Sequence, residues 1–371
     1  MSINKMKVIK TIRTHSEPIN TLLICKNGNL VSGSLGRVIF YSKENLEPIL
    51  RITEFKSYYI SHINETHKDN TFILCHVGLI VIETSNDNKK YRILFSFYER
   101  FMMNKSIEFK YNYISKLNKN ETEYKILIST VYGINIFEEG KIEIKEKEKE
   151  IKKEEPKKFE KFEKKSKILE KGDSNNDITY NFIKKINENE LVYNIFQINN
   201  NCFVSTSNSV LASGNNCLRF WSYPEMINIK TLNNVFCSSG VYSIIKLNEK
   251  ILLVGLEKIS SFLIRNVNKT NQNHNINGIA VIDLEYFEIV QYIETHNCIR
   301  SLLLTSDNNI IAGSSFKLIQ YKFNNGMIEK ISEKELYNYI NNTIVEINKN
   351  TFATGSNNRL IIVIKKMFDF L

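Results

Sequence analysis

The residue types that can move protons, hold metals or attack electrophiles are few in this chain and stand apart from one another. His15 and His296 each follow a threonine ahead of a Ser/Ala-Gly-Ser segment, a recurrence that predicts a core or turn hydrogen bond rather than a metal ligand. His62 and His67 are five apart with no ligand set beside them, and Glu83 and Asp283 read as turn formers after apolar runs. The six cysteines, Cys25, Cys75, Cys202, Cys217, Cys237 and Cys298, include no C-x-x-C pair. That spacing indicates neither a disulfide framework nor a zinc knuckle, and the expectation is reduced, buried thiols. Nothing in the chain matches G-x-G-x-x-G, the Walker A sequence, G-x-S-x-G or H-E-x-x-H, and no carboxylate pair stands out for acid–base work. The expectation is a non-catalytic protein without cofactor, metal or small-molecule substrate.

Charge is the next clue to a partner. The formal net charge is +10 over 371 residues, which invites nucleic acid, anionic lipid or acidic protein segments. Part of it is local: residues 141–171 hold 13 Lys and 9 Glu, an excess of four positives. Mixed charge with so few apolar residues does not offset its ordering entropy, so residues 147–176 are expected to be a solvated, disordered insertion. No run of about 18 apolar residues exists and Met1-Ser-Ile-Asn-Lys-Met-Lys7 has no apolar leader core. The chain reads as soluble and cytoplasmic, with the nucleus as the alternative.

The elements that must carry these residues announce themselves by repetition. Asn29-Leu-Val-Ser-Gly-Ser34 leads to Val38-Ile-Phe-Tyr41, and Ser209-Val-Leu-Ala-Ser-Gly-Asn215 to Leu218-Arg-Phe-Trp221. Asn309-Ile-Ile-Ala-Gly-Ser314 leads to Leu318-Ile-Gln-Tyr321, and Thr351-Phe-Ala-Thr-Gly-Ser356 to Leu360-Ile-Ile-Val363. A period of roughly 40 residues marks a propeller, and short strands separated by Asn, Gly and Ser turns suit four-stranded antiparallel blades. The prediction is an all-β, seven-bladed propeller filling residues 1–371 as one domain, with a polar loop over 266–277 inside blade 5.

Blade 1 is expected over Pro18–Cys25, Leu30–Ser32, Val38–Tyr41 and Pro48–Ile52, and blade 2 over Tyr58–Ile63, Thr71–Cys75, Leu79–Ile82 and Tyr91–Phe97. Blade 3 is read as Tyr113–Leu117, Lys125–Ser129, Ile134–Phe137 and Lys141–Lys145, with the charged insertion after it. Leu191–Ile198 is either the inner strand of blade 4 or the last strand of blade 3. Blade 7 lacks a fourth strand after Ile364, whereas Met6–Arg13 is a strand to spare, so the ring should close through pairing of these two ends.

Thr14-His15 before Ser32-Gly33-Ser34, Thr295-His296 before Ala312-Gly313-Ser314, and strands such as Leu218-Arg-Phe-Trp221 and Ile279-Ala-Val-Ile-Asp283 resemble WD40 repeats in degenerate form. Each His is preceded by Thr instead of Gly, the turn aspartate is replaced by Gly36, Asn216, Phe316 and Asn358, and Trp221 is the single tryptophan, so the family's His-Asp-Ser/Thr-Trp network is expected to be mostly absent. The resemblance implies a protein-interaction scaffold in an intracellular complex and carries no catalytic residue over. Some propellers similar to this one bind phosphoinositide headgroups through an Arg-Arg pair. Here Arg265 and Arg300 each stand without a second Arg, so a membrane-lipid partner has no motif behind it. An RNA or ribonucleoprotein partner lacks the interleaved basic and aromatic patch of a reader.

Alignment of the blades on their third strands places Arg37, Lys317 and Arg359 immediately before that strand in blades 1, 6 and 7. These blades are consecutive once the ring closes. The three cations are therefore expected to form a basic arc near the channel mouth that docks an acidic or phosphorylated protein segment.

Overall fold

The computed structural model describes residues 4–55, 59–76, 78–98, 103–114, 120–130, 133–141, 178–186, 190–209, 217–233, 235, 241–259, 276–324, 326–336 and 341–368. Among them are seven four-stranded antiparallel sheets. From inner to outer strand, blade 1 is Ile19–Ile24, Leu30–Ser34, Arg37–Tyr41 and Pro48–Ile52, and blade 2 is His62–Glu65, Thr71–Cys75, Gly78–Thr84 and Tyr91–Tyr98. Blade 3 is Met103–Ile114, Asn120–Thr130, Gly133–Lys141 and Ile178–Ile186, and blade 4 is Glu190–Asn199, Cys202–Ser209, Cys217–Ser222 and Asn228–Asn233. Blade 5 is Val241–Lys246, Ile251–Ile259, Ile276–Asp283 and Glu288–Thr295, and blade 6 is Ile299–Leu304, Asn309–Ser314, Lys317–Asn324 and Met327–Glu335. Blade 7 is Asn341–Asn348, Thr351–Ser356 and Ile361–Phe368, completed on its outside by Asn4–Ile12. Each inner strand packs on the inner strand of the next blade, and blade 7 returns to blade 1, so the ring is closed.

Burial follows from position in the blade. The second and third strands have sheets on both faces, which is why Leu30–Ser34 and Thr71–Cys75 are buried at every residue, including Ser32 and Ser34. Outer strands face solvent, and Asn228–Asn233 is mostly exposed. Seven apolar clusters fill the ring, one at each blade–blade interface, among them Phe40 with Phe72 between blades 1 and 2 and Ile361 with Ile19 between blades 7 and 1. Asparagine side chains tie adjacent blades at the inner ring. Asn342 Nδ2 donates to the carbonyl of Ile19 at 2.9 Å, and Asn194 Nδ2 to that of Tyr242 at 3.2 Å.

The recurring glycine marks the closest approach between blades. A Cβ on Gly355 would lie 2.6 Å from Ile19 Cγ2 and 2.9 Å from Thr343 Cγ2, and one on Gly33 would lie 2.8 Å from Ile60 Cγ2. Substituting Gly355→Val should therefore cost about 2–3 kcal/mol through overpacking. A lowered midpoint in denaturant melts at unchanged slope checks this, and an unchanged midpoint would refute it.

Several strand expectations shift. The inner strand of blade 2 begins later than expected, at His62, and that of blade 3 is Met103–Ile114 instead of Tyr113–Leu117. The third strand of blade 3 runs on to Lys141, and the fourth is Ile178–Ile186 rather than Lys141–Lys145. The charged segment is consequently an insertion within blade 3, between its third and outer strands. Residues 147–176 lie outside the described residues. So do 266–275 of the expected blade 5 loop, while Ile276 and Asn277 open the next strand. Glu190–Asn199 is the inner strand of blade 4, which settles the alternative left open there. Its second strand is Cys202–Ser209, so Val204-Ser205-Thr206 holds the place of Val31-Ser32-Gly33. The repeat match at Ser209–Asn215 was displaced, and residues 210–216 lie outside the described residues.

Candidate functional site

An inner strand runs antiparallel to its second strand, so inner-strand starts, second-to-third turns and outer-strand ends share one face of the ring. Arg37, Lys317 and Arg359 all lie on it. Arg37 opens the third strand of blade 1 and is half-buried. Arg359 is exposed in the turn of blade 7 at φ 67°, its N–H donating to the Ser356 carbonyl at 3.2 Å. Lys317 opens the third strand of blade 6 with Nζ 3.0 Å from Glu333 and 3.4 Å from Glu335, so its charge is locally offset. Neither Arg37 nor Arg359 has an ion-pair partner among the described residues. Two aromatic side chains flank these positions. Tyr59, 46% exposed, bridges Leu35 in the strand-to-turn segment beside Arg37, and Phe316, also 46% exposed, precedes Lys317.

Behind Arg37 lies a buried polar network of the kind the resemblance to WD40 repeats implied. His15 is buried, with Nδ1 2.7 Å from Ser34 Oγ and Nε2 2.6 Å from Ser32 Oγ. Ser32 donates to the Tyr41 hydroxyl at 3.2 Å, so tyrosine stands where a tryptophan would. In blade 4 Trp221 Nε1 donates to Ser205 Oγ at 2.8 Å in the matching place. Burial, reinforced by Arg37 and Arg51, pushes the His15 pKa down to about 4. His296 does not repeat this arrangement. It is exposed, because it precedes its inner strand by three residues where His15 precedes by four, and Ala312 stands where Ser32 would accept it.

The remaining chemistry-bearing residues have structural surroundings. Asp283 caps a turn by accepting from the N–H groups of Glu285 at 2.7 Å and Tyr286 at 3.0 Å. Glu83 is not in a turn, since it lies within a third strand and pairs with Arg92 at 2.5 Å. The His67 ring stacks on Tyr124 with centroids 3.3 Å apart. Cys25, Cys75, Cys202, Cys217 and Cys298 are buried free thiols, and burial pushes Cys202 up to about 11. Among the described residues no three His, Cys, Asp or Glu side chains are placed to hold a metal, and no helix is long and apolar enough to cross a membrane.

What sequence reasoning missed is the lining of the central channel, a cavity of about 300 Å³ walled by all seven inner strands. Near the start of five of these strands a register shift falls on a residue that lines the channel, at Asn20, Tyr193, Tyr242, Arg300 and Asn342. Blades 2 and 3 contribute His62 and Lys105. The signal was present as a recurring three-residue segment ending in Ser or Thr at the start of four inner strands: Ile19-Asn-Thr21, Val241-Tyr-Ser243, Ile299-Arg-Ser301 and Asn341-Asn-Thr343.

No protein-family model matches the sequence, and no curated protein sequence matches it significantly. Solved structures do match in shape. The WD40 β-propeller domain of Doa1 superposes with a TM-score of 0.60 at 8% identity, covering 98% of this chain and 97% of that one. A chain of the mitotic checkpoint complex gives 0.63 at 9% identity with 98% and 95% covered, and the WD40 repeats of RRP9 give 0.63 at 10% with 98% and 100% covered. At such identities the likeness concerns the fold.

Proposed function

The chain has the fold of a seven-bladed WD40 propeller, and we propose that it is a non-catalytic protein-interaction scaffold. In this reading the turn face of blades 6, 7 and 1 docks an acidic or phosphorylated segment of a protein partner. The observation that carries the proposal is the pairing, on that face, of exposed aromatic side chains with cations: Tyr59 near Arg37 and Phe316 beside Lys317. Aromatic anchors beside arginine are the composition of interface hot spots. That one similar propeller was solved within the mitotic checkpoint complex agrees with such a role for the fold.

Arg37 and Arg359 carry the test, because a carboxylate at 317 would also repel Glu333 and Glu335. Combining Arg37→Gln with Arg359→Glu should weaken the main co-purifying partner by about tenfold or more while the melting temperature stays within a few degrees. Full retention of the partner by this variant would dispose of the arc as a docking site.

A further inference from the structure

We propose that the central channel binds a compact phosphate-bearing polyanion between Lys105 and Arg300. The two cations stand on blades 3 and 6, which face each other across a seven-membered ring. No Asp or Glu is among the described residues lining the channel. Arg300 is held in place by the Tyr242 ring, whose centroid lies 5.1 Å from the guanidinium carbon. Its Nε is buried and meets no protein acceptor. The nearby amides of Asn20 and Asn342 already donate to backbone carbonyls of the next blade, so they fix the wall rather than neutralise it.

Two partly buried cations in one cavity whose described lining holds no carboxylate are costly. Burial already holds the Lys105 ammonium down at about 8, and a bound anion would reverse that. Phosphate oxygens suit both donors, since Arg forks onto two oxygens and Lys meets one as a point charge. A volume of about 300 Å³ admits a small polyanion and excludes a folded segment. This site lies toward the same face of the ring as the docking surface proposed above but shares none of its residues, so either can fail without the other.

Thermal melts and calorimetry with inorganic tripolyphosphate test it, with sulfate at matched ionic strength as the control. One tripolyphosphate should bind per chain and raise the melting temperature by several degrees more than sulfate does. Lys105→Met and Arg300→Gln should each weaken binding about tenfold or more. Free of ligand, Lys105→Met should melt at or above the wild-type temperature, because it removes an uncompensated buried charge. That combination separates a binding residue from one that merely supports the fold. Vesicles carrying a phosphorylated inositol lipid form the second arm. Sedimentation with them that depends on Lys105 and Arg300 assigns the anion to a lipid headgroup, and tripolyphosphate binding without it assigns a free solute. Failure of both probes, or binding that neither variant changes, overturns the proposal.

Discussion

On acidification from pH 7 to pH 4 the melting temperature of this protein should fall steeply, and the larger part of the fall is expected from buried histidines. Burial pushes His15 down to about 4 and His76 to about 4, and burial together with Lys105 pushes His62 to about 3. In the unfolded chain these rings titrate near 6.5. Above that value both states hold them neutral, and their contribution to stability is fully present. Below it the unfolded chain takes up protons that the folded chain refuses, so stability drains away as pH falls from about 6.5 toward 4. Each fully buried ring can account for about 3 kcal/mol over that window, and His62, half-buried at the channel wall, for less. The sum is several kcal/mol, a large share of ordinary domain stability.

Asp307 stays ionised throughout: partial burial favours its neutral form, but hydrogen bonds from Thr305 and Asn309 and the buried Lys366 ammonium at 3.0 Å outweigh it and lower its pKa. It begins to contribute only at lower pH. Melts between pH 7 and 4 check the assignment. His15→Gln should remove about a third of the slope, and a flat profile down to pH 4.5 would show that these rings charge freely in the folded state.

Whatever depends on apolar periodicity was legible in the chain. Val38–Tyr41, Leu318–Tyr321 and Ile279–Asp283 are third strands as expected, because a strand covered on both faces is mostly apolar, Gln320 being a buried exception. Ring closure was legible too, since Ile361–Phe368 ends one strand short of a complete blade. What failed were places where charge or local similarity competed with long-range pairing. Lys141-Ile-Glu-Ile-Lys145 alternates like a strand, but the partner of the third strand in blade 3 comes after the insertion, at Ile178–Ile186. Sequence proximity could not reveal that. Thr14-His15 and Thr295-His296 look alike, yet a one-residue offset from the inner strand buries the first histidine and exposes the second. The channel cations stayed hidden for a related reason. Lys105 and Arg300 are far apart in sequence, and they line one cavity only because ring closure brings the starts of the inner strands of blades 3 and 6 to the same axis.

Deleting residues 1–13 should lower the melting temperature by about 10 °C and make the protein prone to self-association. Asn4–Ile12 supplies the whole outer strand of blade 7, pairing antiparallel with Ile361–Phe368. A register shift between Val8 and Lys10 reverses the alternation, so Met6 and Ile12, which an unbroken strand would aim at one face, are delivered to different interfaces. Met6 packs in the cluster between blades 6 and 7, and Ile12 in the one between blades 7 and 1. Losing two buried side chains forfeits about 1.5–3 kcal/mol each, and the ladder with its capping contacts adds more. Those contacts include Lys10, which donates to the Asn45 carbonyl at 2.6 Å and pairs with Glu47 at 3.1 Å on blade 1. At roughly 2 °C per kcal/mol for a chain of this size, a total near 5 kcal/mol gives the stated shift. The bared edge of Ile361–Phe368 would then template pairing with another copy. A synthetic peptide of residues 1–13, added to the truncated protein, should restore both the melting temperature and the monomer. Truncation without a change in melting temperature would mean that blade 7 does not depend on this strand for closure.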